Sequence, residues 1–189
     1  MAPDQSQDLP LPELPEVETV RRGLEPVMAG KRLVRVEQRR PDLRFPFPDG
    51  FVGRTEGQAI VRLGRRAKYL VVELASGEAL IMQLGMSGRF TIEVPQQGGG
   101  VPGSFHHEMA PAAAHDHVVF HLEDGARVTY NDPRRFGFMD LVAIDDLEDC
   151  RHFAAMGIEP LGNQLSPAYL AQRAAGRTTD IKAFLLDQR

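Results

Sequence analysis

Residues 69–84 read YLVVELASGEALIMQL. Two apolar runs, Tyr69–Leu74 and Ala79–Leu84, flank Ala75-Ser76-Gly77-Glu78. Two such runs around a short turn with glycine predict an antiparallel hairpin. Downstream, Val118–Leu122 and Arg127–Tyr130 flank Glu123-Asp124-Gly125 and predict a second hairpin. Leu33–Val36, Gln58–Leu63 and Phe138–Val142 add further short strands. About seven short strands with turn signals between them predict a mainly β protein, a two-layer β-sandwich.

Helices are expected at both ends. Pro15, Glu16 and Glu18 have the character of a first helical turn, where proline is tolerated and acids oppose the positive end of the helix dipole. Val17, Val20, Leu24 and Val27 continue at helical spacing, and Gly30 is the expected stop. Beyond the strands, Asp146–Ala155, Pro167–Ala175 and Thr179–Asp187 read as helices, the second with Ser166 as N-cap. Residues 1–11 read as a disordered leader, 12–145 as the sandwich, and 146–189 as the start of a helical domain that is cut short. Residues 95–116, rich in Gly, Pro, Ala and His, read as one long loop.

Composition narrows the function classes. The chain has 189 residues, of which 42% are hydrophobic and 25% charged, as expected of a globular protein. Its single cysteine, Cys150, excludes a disulfide framework and a cysteine-based zinc site. No apolar stretch is long enough for a membrane helix, and the acidic, proline-containing start is no secretory signal, so a cytoplasmic location is expected. The net charge of −4 is unevenly distributed: residues 20–72 carry thirteen Arg or Lys against five Asp or Glu, a local balance of +8. Such polarity gives either a solvated basic surface or a phosphate-binding face.

Four segments are candidates for chemistry. Pro12-Glu13-Leu14-Pro15-Glu16-Val17-Glu18-Thr19 gathers three carboxylates beside two prolines, which a helix start alone also explains. Leu63-Gly64-Arg65-Arg66-Ala67-Lys68-Tyr69-Leu70 puts Lys68 at the mouth of an apolar strand behind two arginines, either a basic turn in water or a phosphate cradle. Gln83-Leu84-Gly85-Met86-Ser87-Gly88 forms a tight turn with an apolar tip. Tyr130-Asn131-Asp132-Pro133-Arg134-Arg135-Phe136-Gly137-Phe138 presents two arginines and a phenylalanine between strands. Apolar wedges beside arginines are the means by which proteins unstack and kink duplex DNA. His115-Asp116-His117 is a weaker candidate for a metal, because residues two apart on a strand face opposite ways.

Taken together, PELPEVET (12–19), GRRAKYL (64–70), LGMSG (84–88), HDHV (115–118) and DPRRFG (132–137) resemble, in order and spacing, the formamidopyrimidine-DNA glycosylases of bacterial base-excision repair. The resemblance runs from Pro12 to Arg189. It implies a DNA glycosylase with abasic-site lyase activity that removes oxidised purines and formamidopyrimidines. Pro12 takes the place of the nucleophilic N-terminal amine that forms a Schiff base with the damaged sugar, Glu13 that of the proton-transferring acid, and Lys68 that of a phosphate-contacting lysine that assists catalysis. Met86, Arg134 and Phe136 correspond to the trio that fills the gap left by the flipped base, and His115 and Arg135 to phosphate contacts. The implied partner is damaged double-stranded DNA, bound by a monomer in the bacterial cytoplasm at the nucleoid, with no membrane role. No cofactor is implied for this chain, since the family's one structural zinc belongs to a C-terminal four-cysteine finger that follows a helix–two-turn–helix.

The sequence departs from the family pattern at three places. Pro12 follows Leu11, so its nitrogen is an amide with a delocalised lone pair and is no nucleophile. A start at position 11, with removal of the initiator, would free it. The chain stops at Arg189, before the zinc finger, and Gln83 stands where the family often has histidine. A non-catalytic DNA-binding or damage-sensing remnant is therefore the competing expectation, and a free-standing metal- or ligand-binding sandwich a more remote one.

Overall fold

The computed structural model describes residues 12–95, 98–100 and 113–187. The expected leader at 1–11 and most of the expected long loop lie outside the described residues. The chain divides into two compact units between Ile144 and Asp145.

The first unit opens with α1 (Leu14–Met28), which buries Val17, Val20, Leu24 and Met28 along one stripe. Pro15 lies in its first turn, and the Glu13 N–H donates to Glu16 Oε2 at 3.0 Å, so the start anticipated from the acids is held by one of them. The helix ends at the glycine expected to stop it: Gly30 takes a φ of +78°, and its N–H donates to Ile60 O at 2.8 Å. This turns the chain into β1 (Leu33–Gln38), followed by the short α2 (Phe51–Thr55), β2 (Ile60–Arg66), β3 (Tyr69–Leu74), β4 (Glu78–Gln83), β5 (Arg89–Val94), β6 (Gly98–Gly100), β7 (Asp116–Leu122), β8 (Arg127–Asn131) and β9 (Phe138–Ala143).

These strands form two antiparallel sheets, ordered β1-β7-β8-β5-β6 and β2-β3-β4-β9. Both predicted hairpins are present, with Val71 opposite Ile81 in the first and Val119 opposite Thr129 in the second. The core is drawn from the inner faces of both sheets and from the α1 stripe, with Leu63, Leu70, Val72, Leu80 and Met82 on one sheet and Phe90, Val118, Phe120, Val128 and Tyr130 on the other. At roughly 25 cal/mol per Å² of apolar surface, burying each large side chain of this set contributes about 1.5–3 kcal/mol.

Sequence reading missed β5, α2 and β6. Arg89–Val94 alternates clearly, but it directly follows a glycine turn and carries charges at both ends of its outward face. α2 begins at Gly50 in the left-handed region, a start without the usual side-chain cap. Gly98–Gly100, read as loop, pairs with Ile92–Val94, because glycine backbone can complete a ladder without any side-chain signal.

The second unit holds α3 (Pro167–Ala174) and α4 (Ile181–Leu186). Ser166 caps α3 as expected, its Oγ accepting from the Tyr169 N–H at 3.1 Å. Asp180 Oδ1 caps α4 by accepting from the Ala183 N–H at 2.9 Å. The helix expected over Asp146–Ala155 does not form: Ile144–Asp146 make a single 3-10 turn and the following residues make consecutive turns. Four acids between Asp145 and Asp149, three of them aspartate, offer little intrinsic helix propensity and competing local hydrogen bonds. On α4, Ile181 and Leu185 are exposed.

Candidate active site and nucleic-acid interface

Strand direction gathers the candidate segments. β3 runs antiparallel to β4 with Leu70 opposite Met82, and β4 runs antiparallel to β9 with Gln83 opposite Phe138. The β2–β3 turn with Lys68, the Leu84–Gly88 turn after β4 and the Asp132–Gly137 turn before β9 therefore lie at one end of the four-stranded sheet. The other sheet meets them there, since Arg89 of β5 pairs with Asn131 of β8 and Asn131 with Asp116 of β7. The chain crosses between sheets twice at this end, once through LGMSG and once through DPRRFG.

At one corner Lys68 Nζ lies 2.8 Å from Glu13 Oε2. The two residues come from the start of α1 and the tip of a hairpin 55 positions later, and both remain accessible, with side-chain exposures of 40% for Glu13 and 21% for Lys68. Pro12 immediately precedes Glu13 and is half-buried. The hairpin tip requires Ala67 to adopt a φ of 49°, which disfavours any residue with a Cβ. Arg65 Nη1 donates to the Ala67 carbonyl at 2.7 Å and holds it there.

Glu18 fastens α1 to the same hairpin. It accepts from Arg21 (2.9 Å) and Arg22 (2.8 Å) on its own helix and from Arg65 on β2 (3.3 Å), while Arg21 Nη1 also donates to the Leu63 carbonyl at 3.4 Å. The hydrogen bond from Arg21, reinforced by Arg22 and Arg65 and opposed only in part by burial, holds the Glu18 carboxyl down at about 2.

The wedge corner is built differently. Phe136 is 41% exposed, and the Arg134 guanidinium lies 4.9 Å from its ring centroid. Met86 is half-buried at the tip of its turn, and Arg134 and Arg135 are exposed. What holds these turns together is Asp132, wholly buried, which sequence reading passed over. Its Oδ1 accepts from Ser87 Oγ at 2.5 Å, and its Oδ2 from the Gly137 N–H at 2.9 Å and from the Tyr130 hydroxyl at 3.2 Å. Its N–H donates to the His115 carbonyl at 3.0 Å, and its carbonyl accepts from His117 Nε2 at 2.8 Å and from the Arg135 N–H at 3.2 Å. Ser87 Oγ in turn accepts from the Arg134 N–H at 3.2 Å. One buried aspartate thus ties LGMSG and DPRRFG together through its carboxylate and HDHV through its backbone. Burial and the neighbouring Asp132 keep the Tyr130 hydroxyl protonated well above the ordinary phenol range.

Glycine permits this interlock. A Cβ on Gly85 would overlap the backbone of Phe136 and Gly137, one on Gly88 the Leu84 carbonyl, and one on Gly137 the Tyr130 hydroxyl. The signal available in the sequence was the Asp-Pro turn opening, with Ser87 and Gly85 in a facing motif, but nothing local shows that Asp132 points inward. Arg135 also takes a positive φ, 55°, and its guanidinium lies 3.6 Å from Asp42.

The histidine motif does not gather around an ion. His117 is buried with its Nε2 on the Asp132 carbonyl, and Asp116 accepts from Asn131 Nδ2 at 2.8 Å. His115 is half-buried, engaged through its backbone carbonyl. No group of three His, Cys, Asp or Glu able to hold a metal is present among the described residues. A zinc finger of four thiolates does not fit this chain either, since Cys150 is its single cysteine. No helix among the described residues is long and apolar enough to cross a membrane.

Comparison with known proteins agrees with this geometry. Residues 11–139 match the family model for the formamidopyrimidine-DNA glycosylase N-terminal domain. Proteins named formamidopyrimidine-DNA glycosylase from Methylobacterium sp. (strain 4-46) and Rhizobium johnstonii are 62% and 57% identical over 95% of this chain. The chain spans 61% of the length of each. Among solved structures, the Lactococcus lactis Fpg in complex with DNA containing an abasic site superposes with a TM-score of 0.76 at 28% identity, covering 94% of this chain and 60% of that one. The wild-type Lactococcus lactis Fpg with DNA containing an oxidised pyrimidine gives 0.76 at 29%, with coverages of 94% and 61%. With the motifs, the two-sheet architecture and these matches in agreement, the chain belongs to the formamidopyrimidine-DNA glycosylase family.

Proposed function

We propose that this chain carries the catalytic sandwich of a DNA glycosylase with abasic-site lyase activity, acting on oxidised purines and formamidopyrimidines in duplex DNA. The observation that carries the reading is the 2.8 Å contact between Lys68 and Glu13 beside Pro12, at the same sheet end as the turns bearing Met86, Arg134 and Phe136. A base must leave the stack before it is excised, and an apolar side chain must hold the gap. In this reading the Glu13–Lys68 pair beside Pro12 serves the excision and the exposed Phe136 the gap.

In this reading the Pro12 amine attacks C1′ of the damaged nucleotide, and the glycosidic bond breaks with the electron pair leaving on the base. Glu13 delivers a proton to the sugar ring oxygen as the ring opens, and an iminium forms between Pro12 and C1′. The iminium acidifies C2′–H, and loss of that proton expels the 3′ phosphate. A second elimination expels the 5′ phosphate. Lys68 donates to Glu13 before DNA arrives and to a backbone phosphate once it is bound. Arg135 and His115 take phosphate contacts, and Met86, Arg134 and Phe136 occupy the gap. The amine supplies the covalent chemistry, so the reaction at this site needs no cofactor. The protein acts as a monomer in the bacterial cytoplasm, on nucleoid DNA.

The amide between Leu11 and Pro12 blocks this chemistry while it persists, and it favours a second reading for the form starting at Met1: damage binding without cleavage. Borohydride trapping on duplex DNA with an oxidised guanine separates the two. Proteins starting at Pro12 and at Met1 are compared, alone and joined to the part of the Methylobacterium relative that the chain does not span. A covalent complex is expected from the joined Pro12 form and none from either Met1 form. Equal trapping by an unprocessed Met1 form would move the nucleophile to another amine, with Lys68 the first to test. No trapping by the joined Pro12 form would refute the catalytic reading.

A further inference from the structure

Across the described residues of the first unit, nearly every Arg and Lys side chain meets a carboxylate, a carbonyl or another polar partner. Arg44 and Arg134 are the exceptions: their guanidinium groups make no hydrogen bond or ion pair among the described residues. Each lies instead over the ring of an exposed phenylalanine, Arg134 at 4.9 Å from the Phe136 centroid and Arg44 at 5.4 Å from that of Phe45, which is 44% exposed. The two pairs belong to one surface. The Arg44 N–H donates to the Gly137 carbonyl at 3.0 Å, the Phe45 ring meets Phe138 edge-on at 5.5 Å, and Asp42 lies 3.6 Å from the Arg135 guanidinium.

An exposed arginine left without a carboxylate keeps its field and its donor fork for a ligand, and a ring beneath it limits the orientations of that fork without neutralising it. Asp42, the nearest acid in sequence, faces Arg40 and Arg135 instead. We propose that Arg44, held over Phe45, is a further phosphate-binding residue for duplex DNA, extending the interface from the Asp132–Phe138 turn onto the segment Asp42–Phe45. This rests on the DNA-binding reading above. In this division of labour the Arg134–Phe136 pair serves the gap in the stack, and the Arg44–Phe45 pair grips the backbone beside it. Phosphate contacts position the protein on the duplex and carry no sequence or damage information.

The test is a salt titration of binding by the 189-residue chain to two short duplexes, one with an abasic-site analogue and one undamaged. One phosphate contact contributes about 0.9 to the slope of log K against log salt. R44A is expected to lower that slope by about 0.9 on both duplexes, which corresponds to roughly a tenfold loss of affinity at 0.1 M salt. R44K should keep the slope. F136A should keep it too, while lowering the preference for the abasic duplex. An R44A slope equal to wild type overturns the Arg44 assignment and leaves the DNA-binding reading standing, as does an R44A effect confined to the damaged duplex. Absence of binding by the wild-type chain to either duplex overturns both.

Discussion

The two corners of the functional end are held by opposite means. At the wedge corner a buried carboxylate accepts from a serine hydroxyl, a phenol and a backbone N–H, and three glycines bring the crossing turns to backbone contact. At the amine corner one accessible ion pair joins Lys68 to Glu13, and the elements that carry them are fastened further back, at Glu18. Under the proposed function, the difference matches what each part must do. Side chains that replace a flipped base must stand up to the stacking of the bases around them, which demands a stiff mount. Groups that exchange protons and release product must be free to change partners. Exposed ion pairs are worth little to stability, whereas a buried acceptor that loses its donors, or donors that lose their acceptor, costs much more.

The largest test of that contrast is at glycine. Gly137→Ala sets a methyl against the Tyr130 hydroxyl, and denaturant unfolding should show a loss of about 3 kcal/mol or more. Gly77→Ala, with a φ of +83° and open space around it, should lose only about 1–2 kcal/mol from backbone conformation. Equal losses would mean that the turns separate easily and that the mount is soft.

Next comes the carboxylate. Asp132→Ala leaves the Ser87 hydroxyl and the Gly137 N–H without their acceptor and the Tyr130 hydroxyl with the Leu84 carbonyl alone, and a loss of about 2–4 kcal/mol is expected. Combining it with Ser87→Ala should cost less than the two single losses together, since the serine bond is counted in both. Strict additivity in chemical denaturation would show that Ser87 and Asp132 do not act as a unit.

A smaller effect separates the two fastenings by pH. The Glu18 carboxyl is held at about 2, against 4.5 for a free side chain, so its arginine partners stabilise the fold above about pH 4.5. That contribution is lost progressively as pH falls from 4.5 towards 2. Screening at this partly exposed cluster reduces it to about 1–2 kcal/mol. Glu18→Gln should remove this segment of the stability–pH curve, and a variant curve parallel to wild type between pH 5 and pH 2 would contradict the assignment.

The smallest stability effect is expected at Lys68, to which the proposed function gives a part in catalysis. Lys68→Ala removes an accessible ion pair and should change unfolding free energy by less than about 1 kcal/mol. In the joined Pro12 form it should nonetheless lower the rate of borohydride trapping at least tenfold. A large loss of stability with trapping retained would make Lys68 a structural residue and erase the contrast between the corners.

The sequence by itself determined most of the strands and marked the motifs whose turns meet at one sheet end. YLVVELASGEALIMQL pairs as its two apolar runs and glycine turn require, and the α1 stripe is buried as its spacing demands. These are local signals, because period and turn chemistry act within a few residues. The failures were local too: four acids between Asp145 and Asp149 were read through as helix, and the glycines of β6 carry no side-chain pattern to read. Only the tertiary structure decided that Glu13 meets Lys68, that Asp132 faces inward to bind three turns, and that Arg44 joins the surface of Phe136 while most of its neighbours are paired away. Each of these contacts joins residues brought together by the order of strands in two sheets. An aspartate at the head of a turn looks the same in sequence whether it faces water or the core, and what separates the two is the set of donors that the other strands deliver to it.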